Sequence, residues 1–134
     1  MTAKIRRSDA EWRALLPRDA YLVTRRHATE RPFTRHGFPE GPGRYHCVCC
    51  GAVLFEQAAK YDSGSGWPSF WQPAEGADLG TTEDRGLGRL RTEVHCAACE
   101  AHLGHIFPDG PDPTGLRYCI NGVALKFEAE GEDG

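Results

Sequence analysis

The chain carries six cysteines, and their spacing divides them by chemistry. Cys47/Cys50 and Cys96/Cys99 form two Cys-x-x-Cys pairs. Each such turn presents two thiolates from one knuckle, and two knuckles supply the four tetrahedral soft ligands that Zn²⁺ takes in structural sites. A thioredoxin-like redox motif is the competing reading of either pair. Redox motifs come singly beside a helix, whereas here two occur beside β-prone stretches. Four thiolates leave no open position for a substrate, so the expected role of this zinc is structural. Cys49 competes with its neighbours in the first knuckle. The spacing selects Cys47 and Cys50, and Gly51 lets the chain turn back with positive φ. His46 and His95 are expected beside the metal or facing solvent, not on the ion.

Cys119 stands apart, inside Arg117-Tyr118-Cys119-Ile120-Asn121. On a strand, Arg117, Cys119 and Asn121 share one face, and Tyr118 and Ile120 take the other. A neighbouring guanidinium favours the thiolate, the nucleophilic form of the side chain. The bland alternative is an inert buried cysteine, a common fate of free thiols, and the polar neighbours argue against it. His102-Leu103-Gly104-His105-Ile106-Phe107-Pro108-Asp109-Gly110 adds two imidazoles able to give protons near neutral pH. They would face opposite sides of a straight strand, and Gly104 is the expected bend that brings them together. Asp109 could orient one imidazole or give a proton itself; surface histidines in a turn are the alternative. The third cluster, Tyr61-Asp62-Ser63-Gly64-Ser65-Gly66-Trp67-Pro68-Ser69-Phe70-Trp71, lacks the Lys-Ser/Thr and following helix of a phosphate loop. Its aromatics suit one wall of an apolar pocket or, for some of them, plain core packing.

Elements must hold these clusters. Ser8-Asp9-Ala10-Glu11 reads as a capping box, followed by Trp12, Leu15 and Leu16 at helical spacing and by Pro17, which stops the run. A second short helix is expected through Ala20, Tyr21 and Leu22. Residues 24–44, rich in proline and glycine, read as an extended covering segment. From Tyr45 onward the pattern is β: Ala52-Val53-Leu54-Phe55, Arg89 to Val94, and Leu116 to Phe127 are the expected strands, bounded by glycine-rich turns. His46-Cys-x-x-Cys50 and His95-Cys-x-x-Cys99 echo one another, with Ala52 and Ala101 in equivalent places, so two similar knuckles would bring two hairpins to one metal.

A length of 134 residues suits one domain, read as residues 1–134 with a core at about 21–127 and a frayed acidic tail, 128–134. The net charge of −3 gives no electrostatic footprint for nucleic acid or an anionic membrane. No apolar run is long enough to span a bilayer. The basic start lacks an apolar stretch after it, so no secretory signal is expected. The cytoplasm is the default compartment, where reduced thiols favour metal binding or catalysis over disulfides. A monomer is expected.

Gly64-Ser-Gly-Trp-Pro-Ser-Phe70, His102-Leu-Gly-His-Ile-Phe-Pro-Asp-Gly110 and Gly115-Leu-Arg-Tyr-Cys-Ile-Asn121, with the two Cys-x-x-Cys pairs, resemble the methionine sulfoxide reductase B family. The resemblance runs from near Tyr21 to Phe127 and takes in Val23-Thr24-Arg25 and Ala28-Thr29-Glu30-Arg31-Pro32-Phe33. It implies a mainly β fold: two antiparallel sheets in a zinc-stapled β-tent, short helices at the N-terminal side, and the metal at the end away from the active site. It implies reduction of the R epimer of methionine sulfoxide, mainly in polypeptides, with electrons from thioredoxin. By resemblance Cys119 is the nucleophile, and His102, His105 and Asn121 surround the sulfoxide oxygen. Arg117 supports the thiolate, Asp109 fills the family's acidic position, and Trp67 and Phe107 hold the ε-methyl group. The residues agree: an electrophilic sulfur, an accepting oxygen and a greasy methyl call for a thiolate, proton donors and an apolar wall. Attack leaves Cys119 as a sulfenic acid.

The chain departs from the family pattern at Ser65, where many members carry the resolving cysteine. Serine cannot form a disulfide, so recycling by thioredoxin or a small thiol acting directly on Cys119 is expected, with Cys49 a poor substitute. A glycine, Gly122, follows Asn121 where a serine is expected. The rival functions are a non-catalytic binding module on the same scaffold, a zinc-thiolate redox sensor and, more distantly, a zinc-ribbon nucleic-acid binder.

Overall fold

The capping box forms as the sequence dictates. The computed structural model describes residues 5, 7–34, 36–38, 41–84 and 91–129. Glu11 N donates to Ser8 Oγ (3.2 Å) and Ser8 N donates to Glu11 Oε1 (3.0 Å), opening α1 (Asp9–Leu15). Trp12 is the buried anchor of this helix, whereas Leu15 stays exposed. Pro17 caps α2 (Arg18–Arg26), which runs three residues into the stretch expected to be extended. Ala20, Tyr21, Val23 and Thr24 are buried, and Leu22 points outward. Arg25 ties α2 to the second knuckle: its guanidinium stacks on Trp12 (4.6 Å to the ring centroid) and donates to Cys99 O (2.8 Å).

Two antiparallel sheets follow. The smaller has strand order β2-β1-β9, from β1 (Gly43–Cys47), β2 (Val53–Glu56) and β9 (Leu125–Ala129). The larger has order β3-β4-β8-β7-β6-β5. Its strands are β3 (Lys60–Tyr61), β4 (Ser69–Phe70), β5 (Leu79–Asp84), β6 (Arg91–Cys96), β7 (His102–Phe107) and β8 (Arg117–Ile120). The expected β class with N-terminal helices therefore holds. The core draws on both sheets: Tyr45, Leu54, Phe55, Phe70, Val94, Leu103 and Ile120 are fully buried. Each such side chain contributes about 1.5–3 kcal/mol relative to exposure. Phe55 and Phe70 stack across the interface at 4.3 Å between centroids.

Two expectations change, and one strand is new. The single strand from Leu116 to Phe127 is two strands in different sheets, β8 and β9, separated by a 3-10 turn at Gly122–Ala124. At the break, Asn121 N and Nδ2 both donate to Leu103 O and its Oδ1 accepts from Glu30 N, and the chain then leaves the sheet through the 3-10 turn. The polar β5 carries little apolar signal because it is an edge strand, exposed at Thr81, Thr82 and Glu83. Glu128 and Ala129, read as tail, pair with Arg44 and Gly43 at the end of β9. Arg89, Leu90 and residues 130–134 lie outside the described residues. No helix among the described residues is long and apolar enough to cross a membrane.

Candidate active site and metal centre

The two knuckles are near copies. Gly51 N donates to Cys47 O (2.9 Å) and Glu100 N to Cys96 O (2.7 Å). Cys47 N donates to Ala52 O and Cys96 N to Ala101 O. Both turns close on a left-handed residue, Gly51 (φ 82°) in one and Glu100 (φ 66°) in the other. Cys47 ends a strand of the small sheet and Cys96 a strand of the large one, so the four sulfurs meet where the sheets meet. Cys47 Sγ lies 3.6 Å from Cys99 Sγ, and Cys50 Sγ lies 3.7 Å from Cys96 Sγ. All four sulfurs fall within 4.8 Å of one another. Tetrahedral Zn–S bonds of about 2.3 Å put sulfurs about 3.8 Å apart, so the quartet fits that ion. Cys49 is outside the quartet, and His46 turns its Nδ1 to Gly51 O (2.9 Å).

Cys119 lies in β8 between two partners, paired with Ser69 of β4 and His105 of β7. Backbone is close on the β7 side. A Cβ on Gly104 would fall 2.0 Å from Cys119 O, so this position requires glycine. The bend that unites the two histidines arises one residue earlier than expected. Register shifts by one between Val94↔Gly104 and His95↔His102, which makes Leu103 the extra residue of a β-bulge. The bulge brings the His102 and His105 rings to 5.7 Å.

Six of the expected site residues line one cavity of about 320 Å³: Cys119, His105, Asn121, Arg117, Trp67 and Phe107. His102 and Asp109 are not among its walls. His102 is buried behind it, its Nδ1 2.7 Å from Glu93 Oε2. Asp109 is exposed on the far side of Arg117 and takes both of its arms, Nε at 2.9 Å and Nη2 at 3.3 Å. The same guanidinium stacks on Phe107, 4.3 Å from the ring centroid. Asn121 is a brace: its Nδ2 donates to Leu103 O (2.9 Å) and its Oδ1 accepts from Glu30 N (3.0 Å). Ser65 closes the cavity, its Oγ 4.0 Å from Cys119 Sγ, and Ser63 links Ser65 to Ser69 by short hydroxyl contacts of 2.8 and 2.7 Å.

Three carboxylates were not singled out by sequence. Glu93 holds His102, and Asp84 holds His105 Nε2 at 2.8 Å. Both sit on strands adjoining β7 or its neighbour, and only the strand order could have revealed them. Glu30 is the third. Its carbonyl accepts from Trp67 Nε1 (3.0 Å), its amide reaches Asn121, and its carboxylate accepts from Val123 N (3.0 Å) and contacts His36 Nε2 (2.9 Å). It thus ties the covering segment to both walls of the cavity.

His36 also accounts for Gly122. A Cβ there would lie 2.1 Å from His36 Nε2. A serine would drive the ring off Glu30, so Gly122→Ser is expected to cost about 1–3 kcal/mol. Adding His36→Ala should then leave the serine nearly neutral. Denaturant melts of the two single variants and the double variant measure that coupling.

The electrostatics of Cys119 differ from the expectation of a ready thiolate. Burial pushes its pKa up, and Ser65 and Arg117 pull it down by less; Glu30 adds to the rise. Asp109 already neutralises much of Arg117. Cys119 therefore rests as a thiol. Its alkylation in the metal-loaded protein should climb with pH through a midpoint above the ordinary value of about 8.5. Removing the downward pull with Arg117→Met should move the midpoint higher still. Peptide mapping of carbamidomethylated Cys119 across a pH series reads both; a midpoint below the ordinary value contradicts the account. For His102, burial lowers the pKa and Glu93 opposes that pull, so the ring rests neutral.

Paired cysteine knuckles joining two sheets, and one further cysteine facing an apolar, imidazole-flanked cavity, define a class: β proteins of thiol redox chemistry with a cysteine quartet able to hold a metal. A family model described as the SelR domain matches residues 16–129. Among curated proteins, the chain is 53% identical over 126 residues to the peptide methionine sulfoxide reductase MsrB of Pseudomonas putida strain W619, covering 93% of this chain and 95% of that protein. It is 54% identical over 123 residues to the MsrB of Thioalkalivibrio sulfidiphilus, covering 91% and 90%. It is 48% identical over 134 residues to that of Saccharophagus degradans, covering 99% and 100%. The chain belongs to the SelR family of methionine sulfoxide reductases, which are oxidoreductases.

Proposed function

We propose that the protein reduces methionine-R-sulfoxide, mainly within polypeptides, through Cys119. The observation that carries this reading is the single cavity in which the Cys119 thiol faces Trp67, Phe107 and His105. An aromatic wall takes the methyl group, and the polar side receives the sulfoxide oxygen. Attack by Cys119 sulfur on the electrophilic sulfur is accompanied by proton delivery to the oxygen, from the thiol itself by way of His105, with His102 behind it. The oxygen ends on Cys119 as sulfenic acid, and methionine leaves; atoms and electrons balance without an outside reductant at this step.

Restoring the thiol needs two electrons. Ser65 stands where a cysteine would reach Cys119, and serine cannot resolve the sulfenic acid. Thioredoxin or a small thiol therefore attacks Cys119 directly, a second reducing thiol completes the exchange, and water is released. The cysteine quartet holds structural Zn²⁺, which keeps β1 and β6 together and takes no part in the reaction. The protein acts as a cytoplasmic monomer.

The test is turnover of the separated R and S epimers of a dabsylated methionine sulfoxide peptide with dithiothreitol. Consumption of the R epimer alone is expected, and reduction of neither epimer would remove the assignment. Oxidised enzyme without reductant should yield a dimedone adduct at Cys119. A Cys49–Cys119 disulfide instead would refute direct recycling.

A further inference from the structure

Two imidazole nitrogens and one carboxylate oxygen converge outside the cysteine quartet. Glu93 Oε2 lies 2.7 Å from His102 Nδ1 and 3.2 Å from His27 Nε2. The ligand atoms of His27, Glu93 and His102 all fall within 4.8 Å of one another. They come from three elements: the C-cap of α2, the middle of β6 and the first residue of β7. Nitrogen and oxygen donors about 2.1 Å from one small divalent ion, at right angles to each other, stand about 3.0 Å apart, which is the spacing seen around Oε2.

The surroundings suit a cation. His102 and Glu93 are largely buried, with side-chain exposures of 4% and 13%, while His27 is 63% exposed and forms the rim. Two ligands are therefore held in place and the third closes from solvent. A cavity of about 450 Å³ opens on the trio, and Glu83 and Asp84 add negative charge to its wall against Arg91. Burial keeps His102 neutral, the form that ligation requires.

We infer that His27, Glu93 and His102 form a second, open site for a borderline divalent cation such as Co²⁺, Ni²⁺ or Zn²⁺, separate from the thiolate quartet. Its two nitrogens and one oxygen select such ions over Mg²⁺ and Ca²⁺, which prefer all-oxygen shells. The ion takes the place of the proton that His102 Nδ1 gives to Glu93, and the neutral ring carries its one proton on Nε2 instead. Because His102 backs His105, occupancy brakes turnover; that consequence alone rests on the reductase reading.

The experiment uses full-length protein carrying one equivalent of zinc, in buffer freed of trace metal, titrated with Co²⁺ by calorimetry and absorbance. One further equivalent is expected, with d–d absorption and no thiolate charge-transfer band. His27→Asn removes a ligand yet suits the left-handed cap, whose φ is 58°. It should weaken the added Co²⁺ by at least about tenfold, keep the zinc, and leave metal-free turnover unchanged. Undiminished affinity in His27→Asn, or no second equivalent in the unaltered protein, overturns the site. Turnover that falls with Co²⁺ in the unaltered protein, but not in His27→Asn, supports the brake; turnover indifferent to bound Co²⁺ overturns it. Co²⁺ binding as described with no sulfoxide reduction even in metal-free buffer supports the site and overturns the reductase reading instead.

Discussion

Replacing Cys119 by serine is expected to lower sulfoxide turnover by on the order of 10⁴-fold or more, the scale on which removal of a nucleophile acts. The substitution is nearly isosteric. Its neighbours Ser69 and His105 pair through backbone, so the strand order around it does not depend on sulfur. The melting temperature should move by only a few degrees, about 1 kcal/mol in a chain of this size. The contrast between lost chemistry and retained fold is the informative result. Steady-state reduction of a dabsylated R sulfoxide with dithiothreitol, beside a thermal melt of the same sample, measures both. Activity within tenfold of the unaltered protein would move the nucleophile elsewhere, and Cys49 would be the sulfur to pursue next.

Loss of the metal is expected to have the opposite signature. The quartet spans the junction of the two sheets, with Cys47 at the end of β1 and Cys96 at the end of β6. Structural zinc in small domains supplies about 10–16 kcal/mol of binding free energy that is coupled to folding. A domain is stable by only about 5–15 kcal/mol in total. If about 5 kcal/mol of the zinc term is coupled here, stripping it lowers the melting temperature by about 15–20 °C. Cys96→Ser, or chelation under reducing conditions, should therefore unfold much of the protein at assay temperature, and activity should fall with it. Metal analysis alongside calorimetric melts checks the link. A Cys96→Ser protein that melts like the parent would mean that the quartet staples nothing.

Much of this was legible from residue types alone. The two knuckles were readable because zinc demands four sulfurs and a Cys-x-x-Cys turn offers two. The shared face of Arg117, Cys119 and Asn121 followed from the period of a strand, and the Ser8 cap from a local hydrogen-bond pattern. What escaped was everything set by strand order. Glu93 and Asp84 are polar residues on β6 and β5, and nothing local says that each will face an imidazole of β7. The bulge at Leu103 is a register shift between two strands, invisible in either one. The Leu116 to Phe127 stretch has uniform β character, yet it changes sheets at the Gly122–Ala124 turn, just after the Asn121 contacts to Leu103 and Glu30. The balance at Cys119 was misjudged for a related reason. Arg117 was visible as a neighbour, but its engagement by Asp109 and the burial of the sulfur were not.

Gly104 limits how this protein can diversify. With the carbonyl of Cys119 pressed against it, this position admits no side chain, so substitution there displaces the Cys119 backbone instead of reshaping its surroundings. Change in the shape of this cavity is left to its other walls, among them Thr29, Trp67 and Phe107.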